Sequence, residues 1–138
     1  MFDQVEIDVT PLSIGIEWPK GVYTSVIFKG TPIPVQRSHL FVIESGEEKL
    51  ELEFDLLWGE FPRVEGNNRR ICTVQVSGFT FSSRQQAVDV FFDIDVNGLI
   101  VLSAKSHKGK ELQVKMTQVS KGLSIKEMVE MRREENRR

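Results

Sequence analysis

The chain has 138 residues, a formal net charge of −2, 40% hydrophobic residues and 28% charged ones. That is room for one compact domain with a real core, and the composition excludes disordered and fibrous classes. The charge gives no general attraction for a polyanion, and no stretch approaches the roughly 20 apolar residues of a bilayer span, so neither nucleic acid nor membrane is expected as a partner.

In chain order, Leu12, Ile14 and Ile16 alternate with other residues until Pro19-Lys20-Gly21 breaks the run. Strict alternation puts one set of side chains on one face of a strand. Val22 to Lys29 reads as a second strand. Gly30-Thr31-Pro32-Ile33-Pro34 cannot be a central strand, because two prolines remove ladder donors. His39 to Ile43 reads as the third strand. In the fourth, Leu50, Leu52, Phe54 and Leu56 alternate with Glu51, Glu53 and Asp55, giving one apolar and one acidic face.

Ile71 to Val76 is a fifth strand, and Val88, Val90, Phe92 and Ile94 mark a sixth. Asn97-Gly98 then offers the two positive-φ residues of a type I′ hairpin turn. Leu99 to Lys105 follows as the partner strand, and Lys108-Gly109 turns the chain into a strand carrying Leu112, Val114 and Met116. About eight short strands at this spacing predict a mainly β sandwich or barrel.

Only the end reads as helix. Ser124-Ile125-Lys126-Glu127 has the form of a capping box, with Leu123 and Met128 placed for a hydrophobic staple. Ile125, Met128 and Val129 make a short apolar stripe before the sequence turns charged and ends, as though the helix were cut off. The basic run from Arg132-Arg133 to Arg137-Arg138 is interrupted by Glu134 and Glu135, which suits a solvated helix end.

No catalytic constellation emerges. His39 and His107 sit on different candidate elements without further ligands at zinc spacing, so both read as surface histidines and no metal site is expected. Cys72, the sole cysteine, has no base beside it in sequence and reads as a buried, apolar-like residue. It cannot form an internal disulfide, and a reducing compartment fits that. Asp89, Asp93 and Asp95 share one strand face as solvated carboxylates. There is no nucleophile elbow, phosphate-cradling glycine loop or dinucleotide fingerprint, so no enzyme is expected. The first residues, Met1-Phe2-Asp3-Gln4-Val5-Glu6, lack the basic-then-apolar pattern of a signal peptide, although a signal removed from a longer precursor would leave no trace.

Three blocks in order resemble one family. They are Asp8-Val9-Thr10-Pro11-Leu12-Ser13-Ile14-Gly15-Ile16-Glu17, then Gly30-Thr31-Pro32-Ile33-Pro34, then Phe92-Asp93-Ile94-Asp95-Val96-Asn97-Gly98-Leu99-Ile100-Val101-Leu102-Ser103-Ala104. Gly109-Lys110-Glu111 and Leu123-Ser124 add smaller echoes. Together they are similar to the substrate-binding domain of the seventy-kilodalton heat-shock chaperones, from about Val5 to the C-terminus.

The resemblance implies an eight-stranded antiparallel β-sandwich over residues 10–120, preceded by an interdomain-linker remnant at 1–9 and followed at 121–138 by the first part of a helical lid. It implies a module that holds extended hydrophobic segments of unfolded proteins, controlled in a longer parent by an N-terminal ATPase domain that binds ATP. No cofactor is expected in this portion, and a cytoplasmic location is expected, with the endoplasmic reticulum lumen as the alternative. A helix cut short would leave Met128 and Met131 uncovered, and self-association through that helix or the channel is a further expectation.

Carried over position by position, Leu52 falls on the floor of the family's central pocket. Ile16, Phe41, Phe54 and Val88 fall on other lining positions, and Val42 on the peptide-binding strand. The same alternation also suits plain sandwich core, so the two readings stand side by side. The departures are specific. Trp18-Pro19-Lys20-Gly21 replaces the small residues and paired glycines usual in the first substrate loop. Pro19, near one side of the arch over the peptide, lacks an N–H to donate. Glu44, near the other side, would favour peptides with basic flanks. Residues 59–79 match poorly, and Arg84 stands near a usual Pro-Arg-Gly run. In the linker, Gln4-Val5-Glu6-Ile7 replaces a run of leucines, which is expected to weaken nucleotide coupling. Three functions compete: a peptide-binding chaperone module, a regulatory or structural relative that has lost peptide capture, and an enzyme or lectin that shares only the sandwich.

Overall fold

The computed structural model describes residues 9–44, 51–59, 69–78, 85–117, 124–127 and 129–130, with the backbone alone described at Glu44 and Gln85. The described residues form eight strands: β1 (Ile14–Glu17), β2 (Tyr23–Ile27), β3 (Val35–Glu44), β4 (Glu51–Trp58), β5 (Arg69–Ser77), β6 (Gln85–Ile94), β7 (Ile100–Ser106) and β8 (Glu111–Thr117). Each overlaps a strand expected from the sequence. The third is longer than its apolar core suggests, because it starts directly after Pro34, where the missing N–H no longer interrupts a ladder.

All pairings are antiparallel, in the order β2-β1-β4-β5-β8-β7-β6-β3. The sheet folds over into two facing layers at β8. Glu111 and Leu112 pair with Lys105 and Ala104 of β7, and Gln113 to Thr117 pair with Ser77 to Thr73 of β5. The end strands β2 and β3 approach each other, so the sheet is nearly closed.

The alternation places the core. Leu52, Phe54, Leu56 and Trp58 of β4 face Val88, Val90, Phe92 and Ile94 of β6 across the two layers, all buried. Leu57 is buried too, on the opposite face, where it pairs with Gly15 of β1; the register shift beside it puts the extra residue, Ile71, in β5. Burial of each such side chain contributes about 1.5–3 kcal/mol before the entropy of ordering it.

The first family-like block has a structural role in its polar residues. Thr10, fully buried, donates its hydroxyl to the Phe28 carbonyl at 2.8 Å and accepts from the Thr31 N–H at 3.0 Å. Its backbone bonds Thr31 O and Gly30 N. Ser13 accepts the Lys29 N–H on its hydroxyl and the Gly59 N–H on its carbonyl, both at 2.9 Å. The β2–β3 connection is largely exposed, and these two buried residues tie its backbone down from below.

The β6–β7 turn differs from the type I′ expectation. Gly98 donates to the Asp95 carbonyl at 2.9 Å and is the positive-φ residue, at 80°, so the central pair is Val96-Asn97. The cause is Asp95, whose carboxylate accepts the Asn97 N–H at 2.8 Å and the Leu99 N–H at 2.9 Å. An aspartate bonding its own backbone two residues on favours this longer turn with a left-handed glycine at its end. The β7–β8 hairpin repeats the pattern with Ser106 and Gly109.

At the C-terminal end, residues 125–127 and 129–130 are helical. Ser124 Oγ accepts the Glu127 N–H at 3.2 Å, as a cap should, and the glutamate returns to the serine hydroxyl at 3.2 Å. Ser124 bridges to Leu99, Ile125 N bonds Gly98 O at 2.9 Å, and the Ile125 side chain enters the core. Leu123, Met128, Met131 and the charged end from Arg132 to Arg138 lie outside the described residues, as do Gln4-Val5-Glu6-Ile7 and Arg84.

Candidate peptide-binding site

The loop from β1 to β2 begins at Trp18. Its N–H donates to the Val22 carbonyl at 3.1 Å, and Val22 N donates to Pro19 O at 3.0 Å. Gly21, at φ 88°, completes the turn and donates its own N–H to the Glu17 carboxylate at 2.7 Å. The tight turn holds Pro19 and Lys20 in solvent and brings the half-buried Trp18 indole back over the sandwich.

There it meets Phe41 of β3 edge-on, with ring centroids 5.1 Å apart and planes at 75°. Phe41 stacks on Phe54 of β4 at 4.9 Å, and Phe54 lies 6.3 Å from Phe92 of β6. An aromatic column thus runs from the loop through both layers, edge-on at Trp18–Phe41, stacked at Phe41–Phe54 and tilted at Phe54–Phe92. The candidate lining residues assemble around it. Ile16, Phe41 and Val88 are 0% exposed, and Leu52 and Phe54 are 2% exposed. Those five belong to the core cluster against which Trp18 packs, with Phe41 in direct contact with the indole.

Two candidates lie elsewhere. Val42 points to the outer face of β3 and is 42% exposed. Pro19 is in solvent at the loop tip. The backbone of Glu44 pairs with Gln85, and its side chain lies outside the described residues.

The structure adds His39, which reads from sequence as a surface histidine. His39 is half-buried and packs edge-on to Phe41 at 4.7 Å and 70°. Burial lowers its pKa from the usual histidine value. The signal was available: His39 is two residues before Phe41 on one strand, and such residues share a face. His107 is exposed, in agreement with its reading. Cys72 is fully buried opposite Leu56, and burial first, then the charge of Asp55, pushes its thiol up to about 11.

The acidic face has structural partners. Gln36 donates to Asp93 at 2.8 Å, and Asp95 caps the turn. Among the described residues no three histidines, cysteines or carboxylates group closely enough to hold a metal ion.

The β3 edge is the second component of the site. β3 pairs with β6 along its whole length and ends the sheet; among the described residues β2 approaches its other side without pairing to it. An unpaired edge presents alternate N–H and C=O groups to an incoming extended chain. A buried apolar column, an aromatic cover and a strand edge unpaired among the described residues therefore adjoin one another. The family model for Hsp70 protein matches residues 3–138 of the chain.

Proposed function

The chain belongs to the Hsp70 protein family, and we propose that it is a chaperone module that holds short, extended, apolar segments of unfolded proteins. The observation that carries this reading is the adjacency of the β3 edge, unpaired among the described residues, to the apolar cluster of Ile16, Phe41, Leu52, Phe54 and Val88. Backbone bonding at an edge gives affinity independent of sequence, and an apolar recess beside it selects a side chain. One inserted leucine contributes roughly 1.5–3 kcal/mol by burial. In a longer parent chain, an N-terminal ATPase domain would control this grip with ATP, and a cytoplasmic setting suits the buried lone thiol.

A second reading, a regulatory relative that keeps the sandwich without capturing peptide, draws on the closure of that cluster behind Trp18. One titration separates the two. A fluorescent peptide with a central leucine and arginine flanks is added to the 138-residue chain and followed by anisotropy. A second peptide carries aspartate in place of the leucine. Saturable micromolar binding of the first, at least tenfold weaker for the second, is the expected result. No saturable binding of either by the folded protein would favour the regulatory reading.

A further inference from the structure

Trp18 holds the place above Phe41 that an inserted peptide side chain would need. The five apolar residues assigned to the pocket are 0–2% exposed, so nothing enters among them without moving what lies over them. On the loop side that cover is the Trp18 indole, edge-on to Phe41 at 5.1 Å. The indole is only half-buried, and the residues after it, Pro19 to Val22, are exposed. Its backbone is tied to Val22, so the ring can swing outward about its side-chain torsions while the loop stays in place.

We propose that Trp18 is a built-in occupant of the peptide pocket and sets its specificity, so that the site selects segments with an aromatic residue at the inserted position. This rests on the peptide-binding reading above. Displacing the indole removes an edge-to-face contact with Phe41. An incoming phenylalanine or tyrosine restores that ring geometry against Phe41, behind which Phe54 is stacked with its centroid 4.9 Å from that of Phe41. An incoming leucine restores apolar area alone. The geometry-dependent part of an aromatic pair corresponds to roughly 2- to 10-fold in affinity, which sets the size of the preference.

The test uses two peptides with arginine flanks, one centred on phenylalanine and one on leucine. They are titrated against wild type, Trp18→Ala and Trp58→Phe. Trp58→Phe leaves Trp18 as the sole tryptophan. It also removes a buried indole N–H that has no acceptor, so the fold should tolerate it. Wild type should bind the phenylalanine peptide roughly 2- to 10-fold more tightly than the leucine peptide. Trp18→Ala should bind the leucine peptide more tightly than wild type does. In Trp58→Phe, bound peptide should shift the Trp18 emission to the red as the ring enters water.

Equal affinities in wild type and Trp18→Ala, with Trp18 emission unmoved by bound peptide, would overturn the proposal and leave the chaperone reading intact. Absence of binding by all three folded proteins would overturn both.

Discussion

The Tyr23 ring lies across Gly15 so closely that a β-carbon at that glycine would stand 2.7 Å from the ring. The carbonyl of Thr24 would crowd it from the same side. Both neighbours are fixed. Thr24 is backbone in β2, and the Tyr23 hydroxyl donates to the Gly59 carbonyl at 3.0 Å in a buried site. Gly15 is therefore the position at which β1 admits a side chain from the neighbouring strand across its own face. Gly15→Ala should cost stability at or above the upper end of the roughly 1–3 kcal/mol typical of overpacking. Urea unfolding followed by circular dichroism measures it. A change below about 0.5 kcal/mol, the range of neutral surface substitutions, would show that the ring can shift aside.

The Asp95 carboxylate accepts two backbone N–H groups of the β6–β7 turn, and the first turn of the terminal helix docks on that hairpin through Gly98 O and Leu99. Asp95→Ala should lose about 1–2 kcal/mol, since hydrogen bonds to a charged acceptor are stronger than neutral ones while solvent competes at this exposed turn. Asp95→Asn keeps an acceptor and should lose less than half as much. Equal losses from the two variants in urea titrations would mean that charge elsewhere, and not the turn bonds, sets the role of Asp95.

The strands were legible because most core residues of this sandwich follow a period-two pattern within their own segments, adjacent Ile71 and Cys72 of β5 and helical Ile125 being exceptions. Leu52, Phe54 and Leu56 can face only one way if Glu51, Glu53 and Asp55 are to stay wet. The helix cap was legible for the same local reason. The β6–β7 turn was misread because Asn97-Gly98 fits type I′ in isolation, whereas the deciding atom is the carboxylate of Asp95 two residues earlier. The closure over the site was not legible at all. Trp18, Phe41 and Phe54 come from three separate segments, and only the pairing of β1 with β4 and the folding of the sheet at β8 bring their rings together. The candidate pocket residues come from a family resemblance alone, and Trp18 stands out in the sequence as a departure with no sign of where its indole goes.

His39 makes the aromatic cluster sensitive to pH. Burial lowers its pKa below the ordinary 6.5, so the unfolded chain takes up a proton more readily than the folded one. The contribution of neutral His39 is fully present above the unfolded value and is lost as pH falls from there through the folded value. Urea midpoints of wild type and His39→Gln at pH 7.5, 6.0 and 5.0 isolate it, because the carboxylates they share cancel in the difference. Wild type should lose stability relative to the variant over that descent. Parallel curves would mean that the ring gains enough water on protonation to escape the penalty.

Cys72 should be chemically silent while the protein is folded. Its thiol is buried and pushed up to about 11, first by desolvation and then by the negative charge of Asp55, so at pH 8 almost none of it is thiolate. Both effects vanish on unfolding, when the group returns to an ordinary cysteine pKa near 8.5 and meets solvent. An aromatic disulfide reagent at pH 8 should therefore modify the native protein orders of magnitude more slowly than the urea-unfolded chain. The rate should climb with denaturant as the open population grows. Modification of native protein at the rate of an exposed thiol would mean that β5 leaves its partners on the timescale of the reaction, and that the layer carrying Cys72 is far less stable than its packing implies.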